Sequence, residues 1–160
     1  MTGAADREVA TFWRYIESSL DRLVGCLEGF DGQQLDWRPP AEGSNSLYVL
    51  AAHTLANAEE NILGTLCGQE VERHREDEFV ALGGSARMVE DRWLQLRGRI
   101  GSALAELPAS VLDREVRHPR RGDITGREVL LVVARHAAEH LGQAELTRDL
   151  LRTSWLGRHG

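Results

Sequence analysis

The sequence predicts an all-α protein folded as a four-helix bundle, and three observations lead to this prediction. Apolar residues recur at steps of three and four in four long segments, which is the period of an amphipathic helix. Residues typical of helix ends flank these segments, and no segment shows the convincing alternation of a strand. A chain of 160 residues can also bury one substantial core. We therefore expect residues 1–160 to form a single helical-bundle domain.

The first half of the chain contains two of these helical segments. The first extends from about Asp6 to Gly29, with apolar residues at the helix spacing. The connection from Phe30 to Asn45 contains the pair Pro39-Pro40, which disfavours helix and favours an extended path. The second helix is expected to begin within residues 44–46, where all three side chains are good N-caps, and to end near Gly68.

The second half of the chain contains the other two helical segments. Ser85 is expected to cap the third helix, which ends before Pro108. The fourth helix is expected to begin with a capping box in residues 125–128 and to run to about Arg152. The connections are long for the simplest up-and-down topology, so at least one is expected to cross over the bundle.

Composition narrows the class of partner and the compartment. The formal net charge is -6, and all 19 basic residues are arginine, so broad affinity for nucleic acid is not expected. The longest apolar run, Val129–Ala134, is far too short to span a bilayer, and the N-terminus has no apolar signal region. We expect a cytoplasmic protein whose two cysteines, Cys26 and Cys67, are reduced core residues.

Two histidines four residues apart, His136 and His140, mark the fourth helix as a candidate metal site. This spacing places both imidazoles on one face of a helix, where they can bind one ion. Glu139 and Gln143 occupy neighbouring positions and are predicted to orient the rings as hydrogen-bond partners. His53, beside the apolar face of the second helix, is the candidate for a third ligand. Periodicity alone leaves open whether the three side chains meet or whether His136 and His140 are simply solvated.

The stretch HAAEH, residues 136–140, also matches the inverted zinc-peptidase pattern HxxEH. Enzymes with this pattern need a further ligand well downstream and a cleft for an extended substrate, whereas only 20 residues follow His140. We therefore set the peptidase interpretation aside. The other three histidines, His74, His118 and His159, lie in polar or terminal segments and are predicted to be solvated.

Two blocks of the sequence resemble the DinB/YfiT-like superfamily of metal-binding four-helix bundles. LDWRPPAEGSNSLYVLAAHTLANAEENIL resembles the family's first block, in which a W-x-P connection and a serine cap precede a helix with a ligand histidine. DITGREVLLVVARHAAEHLGQAELTRDLL resembles its last block, a capped helix with the pattern H-x-x-x-H-x-G-Q. The long third helix with Trp93 fits between them, so the resemblance covers nearly the whole chain.

The resemblance implies that His53, His136 and His140 form a three-histidine site for a divalent metal, and these ligands suit zinc, nickel, iron and copper alike. It also implies a homodimer. Activities in the superfamily include transferases and isomerases that use the thiols mycothiol or bacillithiol, and some hydrolases. We therefore expect a metal-dependent enzyme acting on a small-molecule substrate, such as a transferase that uses a low-molecular-weight thiol.

Other interpretations stay open at this stage. The metal could serve only to stabilise the bundle or a dimer, which would make the protein a non-catalytic binding or stress-response module. The arginine-rich residues 114–121 form either a solvated loop or a grip for the thiol or an acidic substrate. The C-terminal tail with Trp155 either covers an interface or packs on the end of the bundle.

Overall fold

The computed structural model describes residues 4–156, and most of this chain is helical. The elements in chain order are α1 (Ala4–Gly25), α2 (Gly32–Leu35), α3 (Leu47–Ala58), a π-helix (Glu59–Leu66), α4 (Arg75–Glu78), α5 (Ala86–Glu106), a 3-10 turn (Ala109–Leu112), β1 (Glu115–His118), β2 (Gly122–Thr125) and α6 (Gly126–Leu156). Four long segments, namely α1, α3 with its π-helical continuation, α5 and α6, form the bundle. The predicted all-α class and four-helix bundle are thereby confirmed.

The long helices pack so that α1 and α3 each contact both α5 and α6. Helices α1 and α3 also contact each other, whereas α5 and α6 have little direct contact, so α5 and α6 lie on opposite sides of the α1–α3 pair and each pair is diagonal in the bundle. The first and third long connections consequently link diagonally placed helices. This arrangement agrees with the crossover that the long connections predicted, and it sets α3 directly against α6.

The core consists of the apolar stripes that the helical period predicted. On α1, Ile16, Leu20 and Leu23 are fully buried, and on α6 Leu130 and Val133 are buried in the same apolar cluster. Burial of such side chains is the main favourable term in folding, at about 25 cal/mol for each Å² of apolar surface removed from water. The stripes fix the rotation of each helix and so determine which polar residues are carried along into the interior.

Side-chain caps set where the helices begin. The hydroxyl oxygens of Ser46 and Ser85 each accept a hydrogen bond from the backbone N–H three residues later. At the start of α6 the predicted capping box is present: Glu128 N–H donates to Thr125 Oγ1, and Thr125 N–H donates to Glu128 Oε2. These three caps confirm the predicted starts of the second, third and fourth helices.

A β-hairpin in the third connection corrects the expectation that the chain has no strand. Strands β1 and β2 pair antiparallel, with Glu115 opposite Thr125 and His118 opposite Gly122. Gly122 has a φ of 76°, a left-handed conformation that glycine adopts without strain. Each strand has only four residues, so the alternating pattern is too short to be read from sequence.

The second long segment is also not a single α-helix. It changes from α-helix to π-helix after Ala58 and remains so to Leu66. The apolar period of the sequence predicted a continuous helix to about Gly68, because it does not distinguish an i→i+4 from an i→i+5 hydrogen-bond pattern. A π-helix widens the turn, and such segments occur frequently at functional sites.

Smaller predictions have mixed outcomes. Cys26 is buried and Cys67 partly buried; both are free thiols, and burial raises the pKa of each. Trp155 is partly buried and packs against the core of the bundle. His159 lies outside the described residues. None of the described helices is long and apolar enough to cross a membrane.

Candidate metal centre

Three histidines from two helices converge in the bundle. His53 comes from α3, and His136 and His140 come from successive turns of α6. The Nε2 atom of His136 lies 3.1 Å from the Nε2 atom of His53 and 3.1 Å from that of His140. All three candidate ligand atoms lie within 4.8 Å of one another. The structure therefore brings together the three histidines that the sequence singled out.

Hydrogen bonds on the outer ring nitrogens fix the orientation of two of these imidazoles. The Nδ1 atom of His53 lies 2.8 Å from Glu78 Oε2, and the Nδ1 atom of His140 lies 2.8 Å from Gln143 Oε1. A carboxylate and an amide oxygen can only accept, so each ring carries its proton on Nδ1. Arg73 Nη2 also lies 3.3 Å from His53 Nδ1, but its 2.8 Å hydrogen bond goes to the same Glu78 oxygen. Both rings therefore direct an Nε2 lone pair into the centre.

The environment keeps the rings of His53 and His136 neutral, which is the form that binds metal. Burial, with a smaller contribution from the nearby rings of His140 and His53, lowers the pKa of His136 to about 3. Burial is also the largest cause of the lowered pKa of His53, although the hydrogen bond to Glu78 opposes it. His53 and His136 thus present neutral imidazoles at neutral pH.

The donor set fits a divalent cation. His136 has one Nε2 atom and two Nε2 neighbours, so a single N–H could satisfy only one of the two contacts. A cation placed among the rings would accept all three lone pairs at once. Two nitrogens at about 2.0–2.1 Å from one ion in tetrahedral geometry are about 3.3 Å apart. The observed spacing of 3.1 Å is close to this value.

A chain of ion pairs extends from His53 to the β-hairpin. Glu78 accepts from Arg73 Nε at 2.7 Å, and Arg73 Nη1 donates to Glu60 Oε2 at 2.8 Å. Glu60 in turn pairs with Arg120 on the hairpin connection. The side chain of Arg73 is only 4% exposed, so two carboxylates compensate for its buried charge. This series of ion pairs joins one candidate ligand, His53, to three segments of the molecule: residues 73–78, the π-helix and the hairpin connection.

A cavity of about 170 Å³ lies directly beside the cluster. Two of the three histidines, His53 and His136, form part of its wall. The remaining lining residues are Asn57, Asn61, Arg75, His118, Arg120, Arg121, Val132 and Arg135. The cluster is therefore reachable by a small molecule.

One wall of this cavity is a polar stripe that the sequence analysis missed. His53, Asn57 and Asn61 follow one another at intervals of four residues, and all three are buried. The signal was visible in the stretch HTLANAEEN, because residues four apart share one face of a helix. The π-helix begins between Asn57 and Asn61 and carries the stripe past the cluster.

His118 corrects the prediction that this histidine is solvated. It is buried, its Nε2 atom lies 2.7 Å from Asn61 Oδ1, and its Nδ1 atom accepts from the Arg120 N–H. Both ring nitrogens are therefore occupied, and burial lowers the pKa of the ring. The sequence could not show this, because the partner Asn61 lies 57 positions away on another element.

The other candidate residues are placed as follows. Gln143 contacts His140, as described above, whereas Glu139 lies 3.4 Å from Arg135 on the exposed side of α6. The carboxylate that contacts a histidine of the cluster is Glu78, which the sequence analysis did not single out. In the arginine-rich segment 114–121, Arg120 and Arg121 line the cavity. The other two arginines of this segment do not: Arg114 donates to the Leu66 carbonyl and Arg117 pairs with Asp123.

Comparison with known proteins places the fold and the family. The solved structure of a DinB-like protein from Bacillus cereus ATCC 10987 is similar to this chain, with a TM-score of 0.68, 20% identity and 89% of each chain covered. A conserved protein from Enterococcus faecalis has a TM-score of 0.71 and 14% identity, covering 90% of this chain and 96% of its own. The search of curated proteins returned no match. A family model for the DinB superfamily matches residues 15–144. The chain therefore belongs to the DinB superfamily.

Proposed function

We propose that this protein is a metal-dependent enzyme that acts on a small molecule, with His53, His136 and His140 as the metal ligands. The observation that carries this proposal is the cavity beside the cluster, whose wall includes His53 and His136. A purely structural metal site is normally closed by four protein ligands, whereas catalytic sites keep a position for water or substrate. A cluster of three histidines, two of which line a cavity, matches the second arrangement.

The described lining of the cavity also favours chemistry by an external nucleophile. It contains amides, arginines, histidines and one valine, and it includes no serine, cysteine, lysine or carboxylate. His118 is not free to accept a proton, because both of its ring nitrogens are already hydrogen-bonded. The lining therefore offers neither a nucleophile nor a free base. A divalent ion at the cluster would activate an external nucleophile instead, by lowering the pKa of a water or thiol in contact with it.

The specific reaction class that we propose is transfer to a low-molecular-weight thiol. The thiol sulfur would form a bond to an electrophilic carbon of the second substrate, and the bond between that carbon and its leaving group would break, with the electron pair staying on the leaving group. The thiol proton would pass to the leaving group or to solvent. The part of the protein is to hold and orient. Glu78 and Gln143 keep the rings of His53 and His140 in place, and the arginines of the cavity attract polar substrate groups.

Metal content is the first test of this proposal. Protein purified without a histidine tag should contain about one divalent ion per chain, and His140→Ala should lose most of it. His74→Ala is the matched control, because the ring of His74 is 70% exposed and lies outside the cluster. Stoichiometric metal that survives His140→Ala would overturn the three-histidine assignment.

A second experiment tests catalysis separately from metal binding. Metal-loaded protein should consume a model electrophile in the presence of a low-molecular-weight thiol, and removal of the metal by a chelator should stop the reaction. Turnover that continues after complete metal removal would contradict the proposal. Intact metal with no turnover for any thiol would instead favour the non-catalytic, metal-stabilised binding module.

A further inference from the structure

The charge of the cavity lining is opposite to that of the whole molecule. Four arginines line the cavity and no carboxylate does, although the chain as a whole has a formal net charge of -6. These arginines are Arg75 and Arg135 on two helices, and Arg120 and Arg121 on the connection between the strands. A concave site lined by one sign of charge raises the local concentration of ligands of the other sign. The lining therefore favours an anion.

The four arginines differ in whether their guanidinium groups already have a partner within the protein. Arg120 pairs with Glu60, and the guanidinium of Arg75 lies 5.2 Å from the centre of the Phe79 ring. Arg135 has only a 3.4 Å contact with Glu139, which is itself more than half exposed. Within the described part of the chain, Arg121 has no ion-pair partner. Arg75, Arg121 and Arg135 can consequently engage a bound anion without breaking a strong ion pair, and of these Arg121 and Arg135 would also give up no contact with an aromatic ring.

Asn57 indicates a second property of the ligand, one that does not depend on charge. The residue is 7% exposed, and its Oδ1 atom has no hydrogen-bond partner among the described residues. A buried acceptor that lacks a partner destabilises the protein, and a ligand that donates a hydrogen bond to it would remove this cost. Asn57 lies one helical turn after His53, so a donor group that reaches it also lies next to the metal-ligand candidates. The occupant should therefore carry a hydrogen-bond donor as well as a negative charge.

We propose that the cavity binds a small carboxylate that carries a thiol, hydroxyl or amine donor. Arg121 and Arg135 hold the carboxylate, and Asn57 accepts from the donor group beside the histidine cluster. Arginine suits this role because its planar fork pairs with a carboxylate through two hydrogen bonds. The volume of about 170 Å³ restricts the ligand to a few heavy atoms, since pockets for drug-sized ligands start near 300 Å³. This inference names the substrate class of the site and rests on the proposed function for its catalytic meaning.

Three ligands with one carbon skeleton test the two contacts on the wild-type protein. Propanoate, lactate and 2-mercaptopropanoate differ only in presenting H, OH or SH beside the carboxylate. Calorimetric titration of the metal-free protein should show lactate and 2-mercaptopropanoate binding about tenfold more tightly than propanoate. Equal affinity for all three would overturn the role of Asn57. Inorganic phosphate is the fourth ligand, and binding as tight as that of lactate would overturn the selectivity for carboxylate.

Two variants on the same hairpin test the arginines. Arg121→Gln should weaken lactate binding at least tenfold, because it removes the unpaired cation. Arg117→Gln is the matched control, since Arg117 is exposed, pairs with Asp123 and does not line the cavity. Equal losses in both variants, or no loss in Arg121→Gln, would overturn the proposed carboxylate contact.

Metal content distinguishes this inference from the proposed function. Arg121→Gln should keep the metal content of the wild type, because Arg121 contacts none of the three histidines. Lactate that binds metal-free protein while no metal binds at all would sink the proposed enzyme and leave the carboxylate site standing. Stoichiometric metal with no binding of any carboxylate would overturn the carboxylate site and leave the proposed metal site standing.

Discussion

At the scale of single residues, Glu78 connects the cluster to the rest of the protein. Its two oxygens accept from the guanidinium of Arg73 and from Nδ1 of His53. Burial by itself would raise the pKa of this carboxyl, but the hydrogen bonds from Arg73 and His53 outweigh burial and hold its pKa below the usual value. Glu78 therefore stays ionised at neutral pH and fixes the tautomer of His53.

Replacing Glu78 by glutamine should weaken metal binding about 10–100-fold, the usual cost of losing a partner that orients a ligand histidine. The amide keeps the size of the side chain but loses the charge that Arg73 and His53 share. Competition with a chromophoric chelator measures this affinity. Glu139→Gln is the control, because Glu139 pairs with Arg135 on the exposed side of α6. A larger loss in Glu139→Gln than in Glu78→Gln would favour the partner that the sequence suggested.

The sequence could indicate the histidines of this site but not all of their partners. His136 and His140 share a helix face, so spacing alone brought them together, and Gln143 lies within the same helix. Glu78 lies 25 residues after His53, in a charged connection that has no apolar period. A contact that depends on how a connection folds back onto a helix leaves no periodic signal. Glu139 is next to His140 in sequence, which is why it was predicted to orient the histidine rings. That role stays a prediction, which the metal-affinity measurement on Glu139→Gln tests.

At the scale of elements, the start of α6 depends on the close approach of two backbones. A Cβ atom added at Gly126 would lie 2.1 Å from the carbonyl oxygen of Val111 in the 3-10 turn. The backbone N–H of Gly126 also donates to the carbonyl of Arg114. The third connection is thereby held against the end of the helix that carries His136 and His140.

Gly126→Ala should lower the free energy of unfolding by about 2 kcal/mol, because the methyl group displaces backbone and not a flexible side-chain end. For a chain of this size the melting temperature should fall by about 4–8 °C, as measured by circular dichroism. Gly142→Ala in the same helix is the control. A Cβ at Gly142 meets nothing within 4 Å, so alanine should stabilise by about 0.5–1 kcal/mol. Equal effects of the two substitutions would show that the close approach does not matter.

The difference between local and long-range interactions explains which elements could be predicted from the sequence. The four long helices repeat an apolar period over many turns. Three of them also begin at a side-chain cap, so Ser46, Ser85 and Thr125 located the starts of the second, third and fourth helices. The hairpin has four residues per strand and depends on pairing between β1 and β2. The π-helix depends on a change of hydrogen-bond partner that leaves the apolar residues nearly in place. Elements defined by long-range pairing or by hydrogen-bond register are the ones that the pattern missed.

At the scale of the whole molecule, the buried histidines make folding sensitive to acid. The pKa values of His53, His118 and His136 all lie below 6.5, the ordinary value for histidine, with burial as the largest cause in each case. The unfolded chain therefore binds more protons than the folded chain below about pH 6.5, and protonation favours unfolding. Above that pH these rings are neutral in both the folded and the unfolded state, so they do not lower the free energy of unfolding.

The stability of the metal-free protein should fall as the pH is lowered from about 6.5 towards 3, the pKa of His136. Urea denaturation at a series of pH values measures this slope. His136→Gln should flatten the slope, because one buried titrating ring has been removed. His74→Gln, which alters an exposed ring, should leave the slope as in the wild type. A slope that is the same in His136→Gln and in the wild type would contradict the assignment.

The ion pairs that run from His53 to the hairpin are unequally shielded from water. Arg73 is 4% exposed and Glu78 12%, whereas Arg120 is 42% exposed. Dissolved salt screens exposed charges far more than buried ones. Rising ionic strength therefore weakens the bond between Arg120 and Glu60 before it affects Arg73 and Glu78. The hairpin side of the cavity therefore loosens as salt is added, whereas the hydrogen bonds that support His53 persist.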